Sequence, residues 1–281
     1  MSVLTQVRTF SVATEIRRQA SRPRTRIALA FMVVLPLIIL GAFEFGGGGE
    51  DDRNGGGAFA SLVDLATSGG VNFALFTLLV SSTFLLVVVF ALFFGDTVAS
   101  EASWGSLRYL LAIPIPRARL LGVKLFVSLL YAALAMVLLV GTALLAGTLR
   151  YGWHPLRSTI ADQLEPGEAL GRLAAATGYI GLTLLVVGTL AFLLSVSTDA
   201  PLGAVGGAVL LNILSSILDQ ITALGSIRSW LPTHFGDAWV GLLSTPAQVD
   251  TMVRGAISAI AYAALFGSLA FWRFLRKDIV S

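Results

Sequence analysis

The sequence predicts an all-α integral membrane protein with six transmembrane helices, and three observations predict it. First, 56% of the 281 residues are hydrophobic and only 12% are charged, with a mean hydropathy of +0.85. A soluble domain carries about 25% charged residues, so this chain has too little charge to cover a surface in water. Second, six mainly apolar runs have roughly the 20 residues that a helix needs to cross a bilayer. Third, Arg and Lys are shared unevenly among the segments between those runs, as the positive-inside rule requires of a multi-span protein.

The elements follow in chain order. Residues 1–26 read as a cytosolic interfacial helix, with Val3, Val7, Phe10 and Thr14 on one stripe and Gln6, Arg8, Arg17 and Arg18 elsewhere. The alternative is a disordered basic tail. A cleaved signal peptide fits poorly, because its charged region is too long and the apolar run behind it exceeds a typical signal core. The spans are 27–45, 73–95, 121–147, 173–196, 202–224 and 253–272, within one transmembrane domain of residues 1–281. Pro36 falls inside the first span, where neighbouring helices can satisfy the freed backbone. Residues 46–57, GGGGEDDRNGGG, read as a flexible outer loop with no chemistry assigned. The fifth span is the weakest, interrupted by Asn212, Asp219 and Gln220. A short link at 197–201 makes spans four and five a hairpin.

Residues 225–250 are too interrupted to span and too apolar for a solvated loop. Trp230, Phe235 and Trp239 suit a membrane interface. We expect an outer re-entrant segment of short helices before span six. It either gates substrate release or merely rests at the interface.

Orientation comes from the basic residues. With the N-terminus in the cytosol, the inner segments hold Arg8, Arg17, Arg18, Arg22, Arg24, Arg26, Arg108, Arg117, Arg119, Lys124, Arg273, Arg276 and Lys277, which is 13 of the 19. The outer segments hold Arg53, Arg150, Arg157, Arg172, Arg228 and Arg254, the remaining 6. Six spans then leave both termini in the cytosol. Ala, Gly and Arg usage suits a GC-rich bacterial genome, hence a bacterial cytoplasmic membrane.

The motifs of catalysis are missing. The chain has 0 Cys and 2 His, His154 and His234, both in outer loops. It has no HExxH and no GxSxG, and no metal site or cofactor is expected on it. Neither lysine follows a glycine, so the chain lacks the GxxxxGK[ST] phosphate loop, and any ATP must be bound by another chain. A carboxylate at mid-bilayer costs roughly 2.5–3.5 kcal/mol. Asp219 falls near the outer end of its span and reads either as an interface residue or as cavity-lining. Asn212 lies deeper and reads as an interior hydrogen-bonding group. These two are the candidate pathway residues. Gly203 and Gly207 form a small-xxx-small pair suited to close helix packing. No nucleic-acid partner is expected.

The stretch between spans two and three carries more information. Residues 101–112 can form an amphipathic helix, with Trp104, Leu107 and Leu111 on one stripe, Glu101 and Arg108 elsewhere, and Pro114 and Pro116 as the stop. A merely positive-inside loop would account for Arg117, Arg119 and Lys124 but not for a helix with a defined end. The pattern E-x-x-x-G-[ST]-L-x-x-L-L-x-x-P-[IV]-x-R-x-x-x-x-x-x-K is met by Glu101, Gly105, Ser106, Leu107, Leu110, Leu111, Pro114, Ile115, Arg117 and Lys124. It resembles the first cytoplasmic loop of ABC-2 type permeases, the membrane subunits of ATP-binding cassette exporters. The departures are Ser106, where Thr is more usual, and Pro116, where Ser is common. The layout of interfacial helix, six spans and outer re-entrant segment is similar too.

The resemblance implies that the loop at 96–120 holds a coupling helix seated in a groove of an ATPase subunit. Trp104, Leu107, Arg108, Leu110, Leu111 and Ile113 would make or anchor that contact. It implies a permease that forms the translocation pathway while a separate subunit holds ATP and Mg. The partners would be ABC ATPase subunits, a second permease chain, identical or related, and membrane lipid. Glu101 is placed either to pair with an arginine or to receive a helix N-terminus. Span interiors of Leu, Val, Ala, Phe and small hydroxyls suggest a hydrophobic or amphipathic cargo. Two other readings stand beside this one: a membrane-embedded lipid-processing enzyme, and a non-transporting anchor subunit with a permease fold.

Overall fold

Ser11 opens the first helix, α1 (Val12–Ser21), its hydroxyl accepting the Thr14 N–H at 3.2 Å, the usual way to satisfy an orphan donor at a helix start. The computed structural model of the chain describes residues 11–45, 58–103, 116–157 and 164–276. Arg22 is extended, as a residue before proline must be. Pro23 then starts α2 (Pro23–Phe45), where its missing N–H costs nothing. There follow α3 (Ala58–Ala66), α4 (Gly70–Thr83), α5 (Leu85–Ser103), α6 (Arg117–Tyr151), α7 (Pro166–Ser197), α8 (Pro201–Gln220) and α9 (Asp250–Arg276). Prolines again sit in the first turns of α7 and α8. Two 3-10 helices, Thr222–Trp230 and Ala238–Leu243, lie between α8 and α9. No strand occurs among the described residues; Leu156 and Leu164 form an isolated bridge.

Among the described residues six helices are long and apolar enough to cross a membrane: α2, α5, α6, α7, α8 and α9. The chain is therefore a multi-pass membrane protein. α5 is the central helix. Its most apolar stretch is 78% buried, against 17% for α2, α8 and α9, whose outward faces are left to lipid. α5 packs against α7 and α8, α7 against α9, and α6 against α2 and α4. Phe73, Phe93, Phe94, Phe192, Leu121 and Leu139 fill the interior. Where α4 and α6 cross, a Cβ on Gly147 would lie 2.8 Å from the Cβ of Phe73, so only glycine permits that approach.

Several helices run longer than the expected spans, α7 by seven residues at its start (Pro166 against 173), and four departures bear on the sites. The apolar run expected as one span at 73–95 is two helices, α4 and α5, broken at Phe84 (φ −135, ψ −53). Ser81, Ser82 and Thr83 precede the break, and such residues offer the backbone local alternatives to the helical ladder. Second, α5 does not stop at Gly95 but continues to Ser103, so residues 96–103 of the expected loop are helical and mostly buried. Asp96, Ser100 and Glu101 find partners inside the protein and need no water. Third, α6 begins at Arg117, inside the segment assigned to the loop. Fourth, α8 ends at Gln220 rather than 224. Trp104, Gly105, Leu107, Arg108, Leu110, Leu111, Ile113 and Pro114 lie outside the described residues, as does most of the apolar stripe expected in 1–10.

Candidate functional site

Two polar arrangements stand out in an otherwise apolar bundle. One lies at the end of the bundle that carries α1, the other at the opposite end.

At the α1 end, α1 turns a polar face inward: Glu15 and Gln19 are buried. This reverses the simple expectation for an interfacial helix, whose buried stripe would be apolar. The reason is that α5 and α6 present charges of their own. Lys124 of α6 is 1% exposed and donates from Nζ to Glu101 Oε1 at 2.6 Å, Glu15 Oε1 at 3.2 Å and the Thr97 carbonyl at 3.3 Å. Arg18 reaches the same Glu101 oxygen at 2.7 Å. Arg22 donates to Asp96 Oδ2 at 3.1 Å and Ser100 Oγ at 3.2 Å. Arg24 donates to Asp96 Oδ1 at 2.5 Å. Tyr131 of α6 donates to the Ile16 carbonyl at 2.8 Å. Three carboxylates (Glu15, Asp96, Glu101) thus meet four cations (Arg18, Arg22, Arg24, Lys124) where α1, α2, α5 and α6 join. Charges so deeply buried persist only when paired and hydrogen-bonded.

Of the two roles open to Glu101 in the sequence, the structure has it paired with cations. Arg18, Arg22, Arg24 and Lys124, read from the sequence as loop charges that orient the chain, here act as ion-pair partners. Only their number and sign were visible in the sequence; their carboxylates lie far away in the chain. Beside this network, hydroxyls stitch α5 to its neighbours. Ser195 Oγ of α7 accepts the Val98 and Ala99 N–H groups at 3.1 and 2.9 Å, and Ser128 of α6 donates to the Phe93 carbonyl at 2.8 Å. Arg117 starts α6 and donates to the Leu275 carbonyl at 3.5 Å.

At the opposite end, residues 222–243 fold back over the helix ends as a cap. Asp219 at the end of α8 contacts His234 Nδ1 at 2.6 Å and Arg228 Nε at 3.5 Å. Ser215 and Thr233 share a hydrogen bond of 2.7 Å, and Tyr179 of α7 donates to the Phe235 carbonyl at 2.7 Å. Arg172 of α7 donates to the Leu242 and Ser244 carbonyls at 2.5 and 2.7 Å. Under this cap is a cavity of about 230 Å³, lined by Ser82, Thr183, Asn212, Ser216, Asp219, His234 and Asp237 among others. Both candidate pathway residues, Asn212 and Asp219, line it. The role of His234 was not legible in the sequence, where it was only one of two loop histidines.

No group of three or more His, Asp or Glu suited to a metal ion occurs among the described residues. Over residues 52–280 the chain matches the family model described as "Protein of unknown function (DUF2705)". The match spans most of the chain, which therefore belongs to that family. No curated protein matches it.

Proposed function

We propose that this member of the DUF2705 family is the membrane-spanning permease subunit of an ATP-binding cassette exporter, with ATP and Mg held by a separate ATPase. The observation that carries the reading is the pair Glu101–Lys124. The two residues that open and close the loop motif meet at 2.6 Å, buried at the base of the segment between them. This clasp ties the end of α5 to the start of α6, so a displacement of either helix is passed to the other, and through Glu15 and Arg18 it reaches α1 as well. Coupling by a lever needs two positions of different energy and no catalytic group.

In this reading Trp104, Leu107, Arg108, Leu110, Leu111 and Ile113 meet the ATPase, with Gly105, Pro114 and Arg117 shaping the segment. The α1 end and both termini face the cytosol of a bacterium. The capped cavity with Asn212 and Asp219 belongs to the exit half of the pathway. Its mixture of hydroxyls and aliphatic walls suits an amphipathic cargo. A second permease chain, identical or related, completes the pathway.

The test is native mass spectrometry of the tagged chain co-expressed with its genomic neighbours. Two permease-sized chains with two ATPases are expected, and Leu107→Asp with Leu111→Asp should release the ATPases. An oligomer of this chain alone, or association indifferent to both substitutions, would sink the proposal. One observation favours a second reading. The Asp219–His234 pair at 2.6 Å in a polar cavity is the orienting half of an acid–base site, as a lipid-processing enzyme would need. Lipid turnover by the chain alone, abolished by His234→Ala, would select that reading instead.

A further inference from the structure

A second cavity, of about 160 Å³, lies apart from the one lined by Asp219. It sits between α3, α4 and the 3-10 helix Ala238–Leu243, with Leu62, Leu65, Leu75 and Leu79 among its walls. A cavity near 150 Å³ with aliphatic and aromatic walls stays dry and accepts an apolar guest. Two polar features mark this one as more than a packing void.

Trp239 lines the cavity, is 2% exposed, and its indole Nε1 is buried without a hydrogen-bond partner among the described residues. Indole N–H groups normally find an acceptor when buried, and leaving one unpaired is disfavoured. The nearby Asn72 amide does not supply it. Its Nδ2 donates to the Arg157 carbonyl at 2.7 Å and its Oδ1 accepts the Arg157 N–H at 3.2 Å. A lone water is a poor substitute, because it needs two to four polar partners, the Asn72 amide is already engaged by Arg157, and the remaining walls are mostly aliphatic. The second feature is Arg157 itself. It lines the same cavity and is exposed, and its guanidinium has no ion pair among the described residues.

The cavity thus offers an apolar slot, one buried donor without an acceptor and one cation without an ion pair, both counted among the described residues. We propose that it holds an acyl chain of an anionic, ester-linked bilayer phospholipid. The chain fills the slot, the ester carbonyl accepts from Trp239, and the phosphate meets Arg157. Neutral apolar guests leave both polar groups unused. The site is separate from the capped cavity, and the inference stands whether or not the chain works with an ATPase.

The test uses the full chain, purified in mild detergent, stripped of lipid and offered dioleoyl phosphatidylglycerol or its ether-linked analogue. Bound lipid is counted by native mass spectrometry. Wild type should prefer the ester lipid by about fivefold, the worth of one net hydrogen bond. Trp239→Phe keeps the apolar ring but loses the N–H, and should abolish that preference. Arg157→Gln should lower phosphatidylglycerol retention about tenfold, as expected for a charge-assisted contact. The ester-to-ether ratio is read within one protein sample, so a variant that folds in lower yield still reports. An unchanged ester preference in Trp239→Phe would overturn the proposal. So would equal retention by Arg157→Gln, or oleate displacing phosphatidylglycerol at equal concentration.

Discussion

Replacing Lys124 by methionine removes an ammonium that touches both Glu15 and Glu101 while keeping most of the side chain's apolar stem. At an effective dielectric of about 20, the attractions lost at 2.6 and 3.2 Å are about 6 and about 5 kcal/mol. Lysine's own desolvation, several kcal/mol, offsets much of this. What remains is the cost of stranding buried carboxylates. Glu101 keeps Arg18 at 2.7 Å, but Glu15 keeps only Arg18 at 3.9 Å. The expected loss is about 3–5 kcal/mol, the range for breaking a buried pair by removing one partner. The assay is equilibrium unfolding in mixed detergent micelles, with protease cleavage after Arg17 as a second readout for release of α1. Adding Glu101→Gln to Lys124→Met should recover part of the loss, giving a coupling of about 1–3 kcal/mol in the double-mutant cycle. A loss under about 1 kcal/mol with no coupling would mean that water screens these charges, and the clasp argument would be refuted.

Other outcomes follow from the same contacts. Ser195→Ala leaves the Val98 and Ala99 N–H groups without their hydroxyl acceptor between α5 and α7, and should cost about 1–3 kcal/mol in the same unfolding assay. Gly255→Ala on α9 would place a Cβ 2.7 Å from the Cβ of Phe235 and against the Tyr179 hydroxyl. Overpacking of this kind costs about 1–3 kcal/mol, and should lift the cap, read as faster thiol labelling at Asp237→Cys in a chain that has 0 native cysteines. Asp219→Asn weakens the contacts to Arg228 and His234, both partly exposed, so its stability cost should be only about 1 kcal/mol. It should nevertheless raise labelling at the same position, and unchanged labelling would show that the other contacts, those of Tyr179, Arg172 and Ser215 among them, suffice to hold the cap.

Much of the architecture was legible in the residues because lipid narrows the choices. A backbone crossing a bilayer must satisfy its own hydrogen bonds, so long apolar runs become helices and their lengths mark the spans. Prolines 23, 166 and 201 mark helix starts by the same local rule. The break at Phe84 was not legible, because hydroxyl residues such as Ser81, Ser82 and Thr83 are common inside apolar helices and no proline or glycine lies between Phe73 and Phe94. The end of α5 was placed too early for a related reason. Asp96 and Glu101 look like residues that have reached water, yet they are buried against cations: Asp96 against Arg22 and Arg24 at the start of α2, Glu101 against Arg18 of α1 and Lys124 of α6.

The sequence by itself determined that this chain is helical, crosses the membrane several times, and carries a charged segment between its second and third spans. Those properties depend on composition and on neighbours a few positions apart, which a linear reading sees directly. Only the tertiary structure decided which charge meets which. Lys124 and Glu15 are 109 positions apart, and Asp219 and His234 are joined by a chain reversal. The energy of an ion pair depends on a few ångströms of separation and on exclusion of water, and both are properties of how the helices pack.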